Sequence, residues 1–271
     1  MYKKNKTIFT LGIDWEDGGL ISLDNGSSID YKRFVSHFLF EHKYLLNLLS
    51  EINVRCTFFV HGRTASLYPK LVKDIFNHGH EIGSHGFKHI HRNKLSEREF
   101  LTDSVDSKKI LEDIIQAPVF GYRSPYLSIS SSNYLYNLDI LKSAGFLYDS
   151  SITVHEFNKL NFTNIPIKVF PLCSFNTKIF SFNLAGGSTW RVLPSFLTTW
   201  FLLSNFTSSN SSLYLHPYEF GRSINPSRFK PSKCNFLKVC FLYMRWNFNR
   251  NAIEKILRNL AKNSTIAAIM P

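Results

Sequence analysis

The feature that most constrains this chain is the alternation of short apolar runs with longer amphipathic ones up to residue 145. An apolar run at residues 7–13 ends in the acidic Asp14-Trp15-Glu16-Asp17-Gly18-Gly19. Residues 31–51 place Phe34, Phe38, Leu45, Leu48 and Leu49 at helical intervals. A strand-like run follows at 55–60, then a helix at 69–77 with Pro69 at its start and Gly79 just past its end. Residues 81–84 read as a strand leading into a His-rich loop. Over 96–115, Ser96 caps a helix, Glu99 completes a capping box, and Ile110, Leu111 and Ile114 line one face. A strand at 119–122 and a helix at 135–144, closed by Gly145, complete the series. Strand, helix, strand, helix in this order predicts parallel βα units, in a doubly wound sheet or a barrel. Residues 150–220 predict shorter strands and loops, with a late strand at 213–215 and an apolar helix after Pro194. Residues 234–262 read as a basic, partly helical tail.

A hydrophobic content of 44% with 15% aromatics in 271 residues excludes a disordered chain and suffices for one large core. We therefore expect a single catalytic domain over 1–271, its core at about 7–220 and a basic C-terminal segment at about 222–271. The formal charge of +12 is concentrated there: residues 222–262 hold ten Lys/Arg against Glu254 alone, which is +9. Such a stretch suits an anionic membrane surface or a lipid pyrophosphate, or is a solvated, Lys-rich surface. Nucleic acid is not expected, because no recognised binding motif accompanies the charge. Cys56, Cys173, Cys234 and Cys240 show no CxxC spacing, so no disulfide framework is expected and a reducing compartment fits. Residues 1–6 carry no apolar signal segment, and no run reaches the ~20 apolar residues that cross a bilayer. The expected location is cytoplasmic, peripheral at the inner membrane face.

In α/β folds the chemistry sits at the C-terminal ends of the strands. The polar clusters fall there: Asp14 to Asp17, His85 to His91, Arg123 to Tyr126, and His216. Five of the ten histidines (His78, His80, His85, His89, His91) lie between residues 78 and 91. His85 and His89, four apart, can share one side of a turn. Two imidazoles and a carboxylate make a common metal triad, and Asp17 or Glu16 offers the carboxylate.

The run Gly79-His80-Glu81-Ile82-Gly83-Ser84-His85-Gly86-Phe87-Lys88-His89 resembles the second motif of the NodB-homology polysaccharide deacetylases, carbohydrate esterase family 4. Ile13-Asp14-Trp15-Glu16-Asp17-Gly18 resembles the first motif, and Thr57-Phe58-Phe59-Val60 a strand of the same family. Gly121-Tyr122-Arg123-Ser124-Pro125-Tyr126, Tyr148-Asp149-Ser150-Ser151 and Leu213-Tyr214-Leu215-His216-Pro217 are similar to the later motifs, in the right order. His-Pro-Tyr-Glu at 216–219 and residues 186–194 look most like the subgroup of exopolysaccharide clusters.

The resemblance implies a distorted (β/α) barrel with helices outside. It also implies a hydrolase that removes N-acetyl groups from an amino sugar in a polysaccharide, an oligosaccharide or a lipid-linked glycan. By the same carry-over Asp17, His85 and His89 bind a divalent metal: zinc, with cobalt, nickel or manganese as alternatives. The family's general base falls on Glu16, where the family has Asp; Asp14 is a nearby acid able to take either role. Arg123 would hold the base, the Tyr126 N–H would meet the oxyanion, and His216 would protonate the leaving amine. Asp149 would orient His216 or touch sugar hydroxyls. Trp190 and Arg191, after Gly186-Gly187, and Trp15 are candidate sugar contacts. Two alternatives stand beside this reading. One is hydrolysis of a formamido sugar or another small amide on the same fold. The other is a catalytically silent carbohydrate-binding protein, favoured only by Glu16. Residues 194–206 are expected to form a core helix or, with the basic 222–262 stretch, an interfacial membrane helix.

Overall fold

The computed structural model describes residues 8–17, 31–129, 131–160, 164–176, 181–187, 189–206, 212–221 and 247–270, with backbone alone at 31–36, 176, 181 and 182. The first strand, β1 (Ile8–Trp15), is followed by α1 (Tyr31–Glu51), β2 (Thr57–Val60), the short α2 (Gly62–Leu67), α3 (Pro69–Asn77) and β3 (Glu81–Ser84). Then come α4 (Glu97–Ile115), β4 (Gly121–Tyr122), α5 (Tyr134–Ser143), β5 (Tyr148–Asp149), α6 (Val154–Lys159) and β6 (Lys168–Val169). A two-stranded antiparallel ribbon of β7 (Ser174–Asn176) and β8 (Ser181–Asn183) precedes α7 (Thr189–Val192) and α8 (Ser195–Asn205). The last described elements are β9 (Ser212–Leu215), α9 (Asn251–Asn263) and β10 (Thr265–Ala267).

Every pairing in the main sheet is parallel, in the order β10-β1-β2-β3-β4-β5-β6, with β9 also on β1. β1 pairs with β9 through Thr10–Ile13, with β10 through Ile8–Thr10 and with β2 through Gly12–Trp15. Past β10, the Ile269 N–H donates to Thr57 Oγ1 and the Met270 N–H to Glu81 Oε2. The C-terminal strand thus fills the stretch of β1 edge below the start of β2. Isolated parallel bridges from Thr153 to Leu172 and from Leu172 to Ser212 carry the far side of the sheet round to β9. The sheet is a distorted barrel with helices outside, the fold class expected from the motifs.

Parallel strands covered on both faces need apolar side chains on both. β1 supplies Phe9, Leu11 and Ile13, and β2 and β3 supply Phe58, Val60 and Ile82, all buried. The helices that cover them follow the sequence pattern. α1 buries Phe38, Leu45, Leu48 and Leu49; the side chain of Phe34 lies outside the described residues. α4 has its reciprocal capping box, with the Glu99 N–H donating to Ser96 Oγ and the Ser96 N–H to Glu99 Oε2. β1 runs to Trp15, two residues past the apolar run, because its last residues are still paired with β2.

The boundary expected near residue 220 is too early. α9 buries Ala252, Ile253, Ile256, Leu257 and Leu260 on one face, and β10 joins the sheet. Its polar face is tied to α1 by the Tyr44 hydroxyl donating to Glu254 and by a two-pronged Arg258–Glu51 pair at 2.8 Å. The count of cations had hidden an ordinary core helix; residues 222–246 lie outside the described residues. Leu257→Ala should therefore lower unfolding stability by about 2–5 kcal/mol, as a buried Leu does, and exposed Lys255→Ala by less than about 0.5 kcal/mol, as read from urea unfolding. Equal effects would contradict α9 as core.

Candidate active site

Side chains alternate faces along a strand. At the end of β1 this parity sorts the acidic cluster. Asp14 and Glu16 face one way, Trp15 and Asp17 the other. Trp15 is buried against Phe38 and His42 of α1, with ring centroids 4.8 and 5.8 Å away. Asp17 goes with it: its carboxylate accepts from Tyr68 OH at 3.2 Å, and its N–H donates to Thr64 Oγ1 at 3.3 Å.

Asp17, expected as a metal ligand, is therefore turned away from the two histidines. Glu16, not Asp17, meets the two histidines: its Oε2 lies 2.5 Å from His89 Nε2 and 3.5 Å from His85 Nε2. One donor atom from each of Glu16, His85 and His89 falls within 4.8 Å of the others. Asp17 serves the packing between β1 and the helices α2 and α3.

Local backbone places the two imidazoles. His85 follows β3, and its N–H donates to Val60 O at 2.9 Å. The loop then turns through Gly86 and His89, both in the left-handed region at φ +70° and +52°. Asp103 of α4 holds the turn by accepting from the N–H groups of Phe87 (2.8 Å) and Lys88 (3.0 Å). His85 Nδ1 lies 2.9 Å from the Arg123 carbonyl, a pure acceptor. The carbonyl can only accept, so Nδ1 carries a proton and Nε2 is the nitrogen turned toward Glu16.

Arg123 is fully buried. Its guanidinium donates to Asp14 Oδ1 at 2.7 Å, to the Ser150 carbonyl at 3.0 Å and to Ser150 Oγ at 2.9 Å. It lies over the Phe59 ring, 4.1 Å from the centroid. Gly12 of β1 makes room, since a Cβ there would collide with the guanidinium. The carboxylate that Arg123 holds is thus Asp14, while Glu16 is engaged with the histidines. Of the two acids that the sequence offered as base, Asp14 is the one paired with Arg123.

His216, just past β9, approaches from the other side. Its Nε2 lies 3.9 Å from Asp14 Oδ2 and its Nδ1 3.6 Å from Glu219 Oε2. The Tyr218 ring stacks on it at 4.7 Å. Glu219, buried, also accepts the His216 N–H at 2.9 Å. Burial by itself would lower the His216 pKa. The Glu219 carboxylate, with Glu16 and Asp14, overrides this and raises it to about 9. Glu16 is the mirror case: burial would raise its pKa, but the charge of His89 and contacts from both imidazoles bring it well below the usual carboxylate range.

Asp149 does not orient His216. It is buried and accepts from Tyr134 OH at 2.6 Å, Ser151 N–H at 2.9 Å and Ser151 Oγ at 2.5 Å. Ser151 Oγ in turn accepts the Ser124 N–H at 2.8 Å. Asp149 thus braces the loop that grips Arg123. The partner of His216 is Glu219, whose signal was its place three residues after His216.

The expected sugar contacts also need correction. Trp190 is fully buried, with Nε1 donating to the Leu184 carbonyl at 2.8 Å, and Arg191 and Trp15 are buried too. A side chain without solvent access cannot meet a glycan. Tyr126 does reach solvent, 53% exposed, with φ +59° and its ring 4.5 Å from that of His89. It is an exposed aromatic ring beside the histidine pair.

The triad fits a divalent cation. Glu16 Oε2 is buried and crowded against an imidazole nitrogen, yet makes no hydrogen bond. Two imidazole nitrogens and a carboxylate oxygen are the donor set of catalytic zinc sites that leave positions for water and substrate.

Residues 40–148 match the polysaccharide deacetylase family model. Over 83 residues the chain is 37% identical to a peptidoglycan-N-acetylglucosamine deacetylase of Bacillus cereus, 30% of either chain. Over 113 residues it is 25% identical to a peptidoglycan deacetylase of Helicobacter pylori, 42% of this chain and 37% of that one. The matches span about a third of the length of these relatives. In fold the chain resembles a putative polysaccharide deacetylase from Mycobacterium smegmatis, with TM-score 0.58 at 17% identity over 98% of this chain and 88% of that one. It also resembles a carbohydrate esterase family 4 pseudoenzyme from Bacillus anthracis, with TM-score 0.52 at 12% identity over 99% of this chain and 65% of that one. The motifs lie in order on this barrel, and the chain is similar to the polysaccharide deacetylases of carbohydrate esterase family 4, over residues 40–148 in sequence and over most of its length in fold.

Proposed function

We propose that this chain is a single-domain, divalent-metal-dependent hydrolase that removes the acetyl group from an N-acetylated amino sugar of a glycan. The observation that carries the reading is the convergence of three units on one mouth: Glu16 with His85 and His89, Asp14 with Arg123, and His216 with Glu219. Glu16, His85 and His89 would hold the cation, zinc in the first instance with cobalt, nickel or manganese as alternatives. When bound, it supplies a Lewis acid for the acetyl carbonyl and acidifies a water.

The chain's own residues do the rest. Asp14, fixed by the Arg123 guanidinium, takes the proton of the attacking water. The water oxygen bonds to the acetyl carbon, and the Tyr126 N–H stabilises the developing oxyanion. His216 gives its Nε2 proton to the sugar nitrogen as the C–N bond breaks, so that acetate and the free amine leave. A histidine with its pKa raised to about 9 is protonated at neutral pH, ready for that donation. Tyr126 supports the sugar from the exposed side. The substrate is a polysaccharide, an oligosaccharide or a lipid-linked glycan, and the setting is cytoplasmic with peripheral membrane contact. The concentrated charge of 222–262 supports that last element.

Acetate release from acetylated glucosamine oligomers by the metal-loaded protein tests the reading. Asp14→Asn should lower kcat by about 100-fold or more while retaining metal. Full activity in this variant would remove Asp14 as base; no turnover by the wild type on any acetylated amino sugar would refute the reading. Glu219 raises the His216 pKa, so Glu219→Gln should move the alkaline limb of the rate profile to lower pH with metal content unchanged. An unmoved limb would sever Glu219 from His216.

A further inference from the structure

Beside the cluster of Glu16, His85 and His89 stands a further buried histidine. One step past Trp15 and Val60, the last paired residues of β1 and β2, lie Glu16 and His61. His61 is still extended, at φ −71° and ψ 125°, and its N–H donates to the Trp15 carbonyl at 3.2 Å. Strand parity therefore puts its side chain on the inner face, with Asp14, Glu16 and Phe59. It is fully buried, and its ring meets that of His89 edge to face, with centroids 5.6 Å apart. The two segments are also docked by backbone. The Gly62 N–H donates to the Gly86 carbonyl at 2.9 Å and the Arg63 N–H to the Phe87 carbonyl at 3.1 Å. Gly62 permits this approach, because a Cβ there would collide with Phe87.

The hydrogen bonds of the two facing rings do not close. His61 Nδ1 lies 2.9 Å from Thr64 Oγ1, but His61 Nε2 has no partner among the described residues, and neither has His89 Nδ1. Buried polar atoms are nearly always paired. His85, the other imidazole of the cluster, has its outer nitrogen on the Arg123 carbonyl. A metal-binding histidine needs such an outer partner, which fixes the ring and raises its basicity.

We propose that His61 is the positioning residue of His89. Its Nε2 accepts the His89 Nδ1–H through one bridging water, and this holds the His89 imidazole with its own Nε2 turned to the cation. The remaining bonds balance. His61 Nδ1–H donates to Thr64 Oγ1, whose second lone pair takes the Asp17 N–H at 3.3 Å. Each imidazole of the cluster then has its outer partner, the Arg123 carbonyl for His85 and His61 for His89. The inference rests on the metal-site reading of Glu16, His85 and His89 and adds a residue behind it.

The test is the zinc affinity of the full chain, read by competition with a chromophoric chelator. Circular dichroism and the metal-free thermal midpoint control for folding. His61→Leu should weaken zinc binding by about 10- to 100-fold without lowering the metal-free midpoint. His61→Gln, whose amide reaches the place of Nε2, should bind zinc nearly as the wild type does. His61→Asn, whose shorter amide meets only Thr64, should bind as weakly as His61→Leu. That polar pair decides the matter if the leucine variant does not fold. His91 Nδ1 is also buried without a hydrogen bond, but the His91 ring lies against Tyr126, with centroids 6.1 Å apart, and His91→Leu should keep wild-type affinity. Equal affinity in the wild type, His61→Leu and His61→Asn would overturn the proposal and leave the metal site standing. A loss in His91→Leu with none in His61→Leu would overturn it in favour of His91. A wild type that binds no zinc would remove the metal site and the proposal with it.

Discussion

The buried pair of Arg123 and Asp14 is the constraint on which the rest of the site depends. A guanidinium out of water is costly unless its donors are met, and removing one partner of such a pair costs about 3–5 kcal/mol. Here three donors are met by Asp14 and by Ser150, and the plane lies on the Phe59 ring. The geometry ties β1, β4 and the loop after β5 together at the barrel mouth. It also reaches the metal-ligand set, because the Arg123 carbonyl fixes the His85 tautomer. One residue thereby links Asp14 to the cluster of Glu16, His85 and His89. Gly12 and Asp149 let Arg123 lie where it does, Gly12 by leaving room for the guanidinium and Asp149 by bracing Ser151 in the loop that grips it.

Strand parity is the second determinant. In Asp14-Trp15-Glu16-Asp17 the acids that can share a site are two apart, not adjacent. A motif reading that aligns Glu16-Asp17 with a pair of adjacent aspartates puts the base on Glu16 and the ligand on Asp17, whereas the structure sets Asp14 on Arg123 and Glu16 on the two histidines. With Asp14 as base and Glu16 as ligand, both roles stay on the inner face of β1, and Trp15 and Asp17 seal it against α1, α2 and α3. Glu16 in place of an aspartate then ceases to suggest a decayed base.

The βα alternation, the capping box of Ser96 and Glu99, and the four polar clusters at strand ends were legible in the sequence because each rests on local periodicity or spacing. β10 was not. Three residues with no alternation acquire strand character only through pairing with β1, a contact across more than 250 residues. α9 was hidden by its charge count, although Ile253, Ile256, Leu257 and Leu260 carry a clear helical spacing. Trp190 looked like a loop aromatic because two glycines precede it; burial, which sequence does not report, decided against it. Glu219 was visible in the His-Pro-Tyr-Glu run, but its partnership with His216 depends on how the turn after β9 folds.

The central claim is that Glu16, and not Asp17, completes the metal site with His85 and His89. The most direct measurement is zinc per chain by elemental analysis in Glu16→Ala and Asp17→Ala beside the wild type, each folded by circular dichroism and reconstituted alike. The account predicts about one ion in the wild type, a near-complete loss in Glu16→Ala, and near wild-type content in Asp17→Ala. Metal retained in Glu16→Ala and lost in Asp17→Ala would contradict it, and the assignment of Asp14 as base would fall with it.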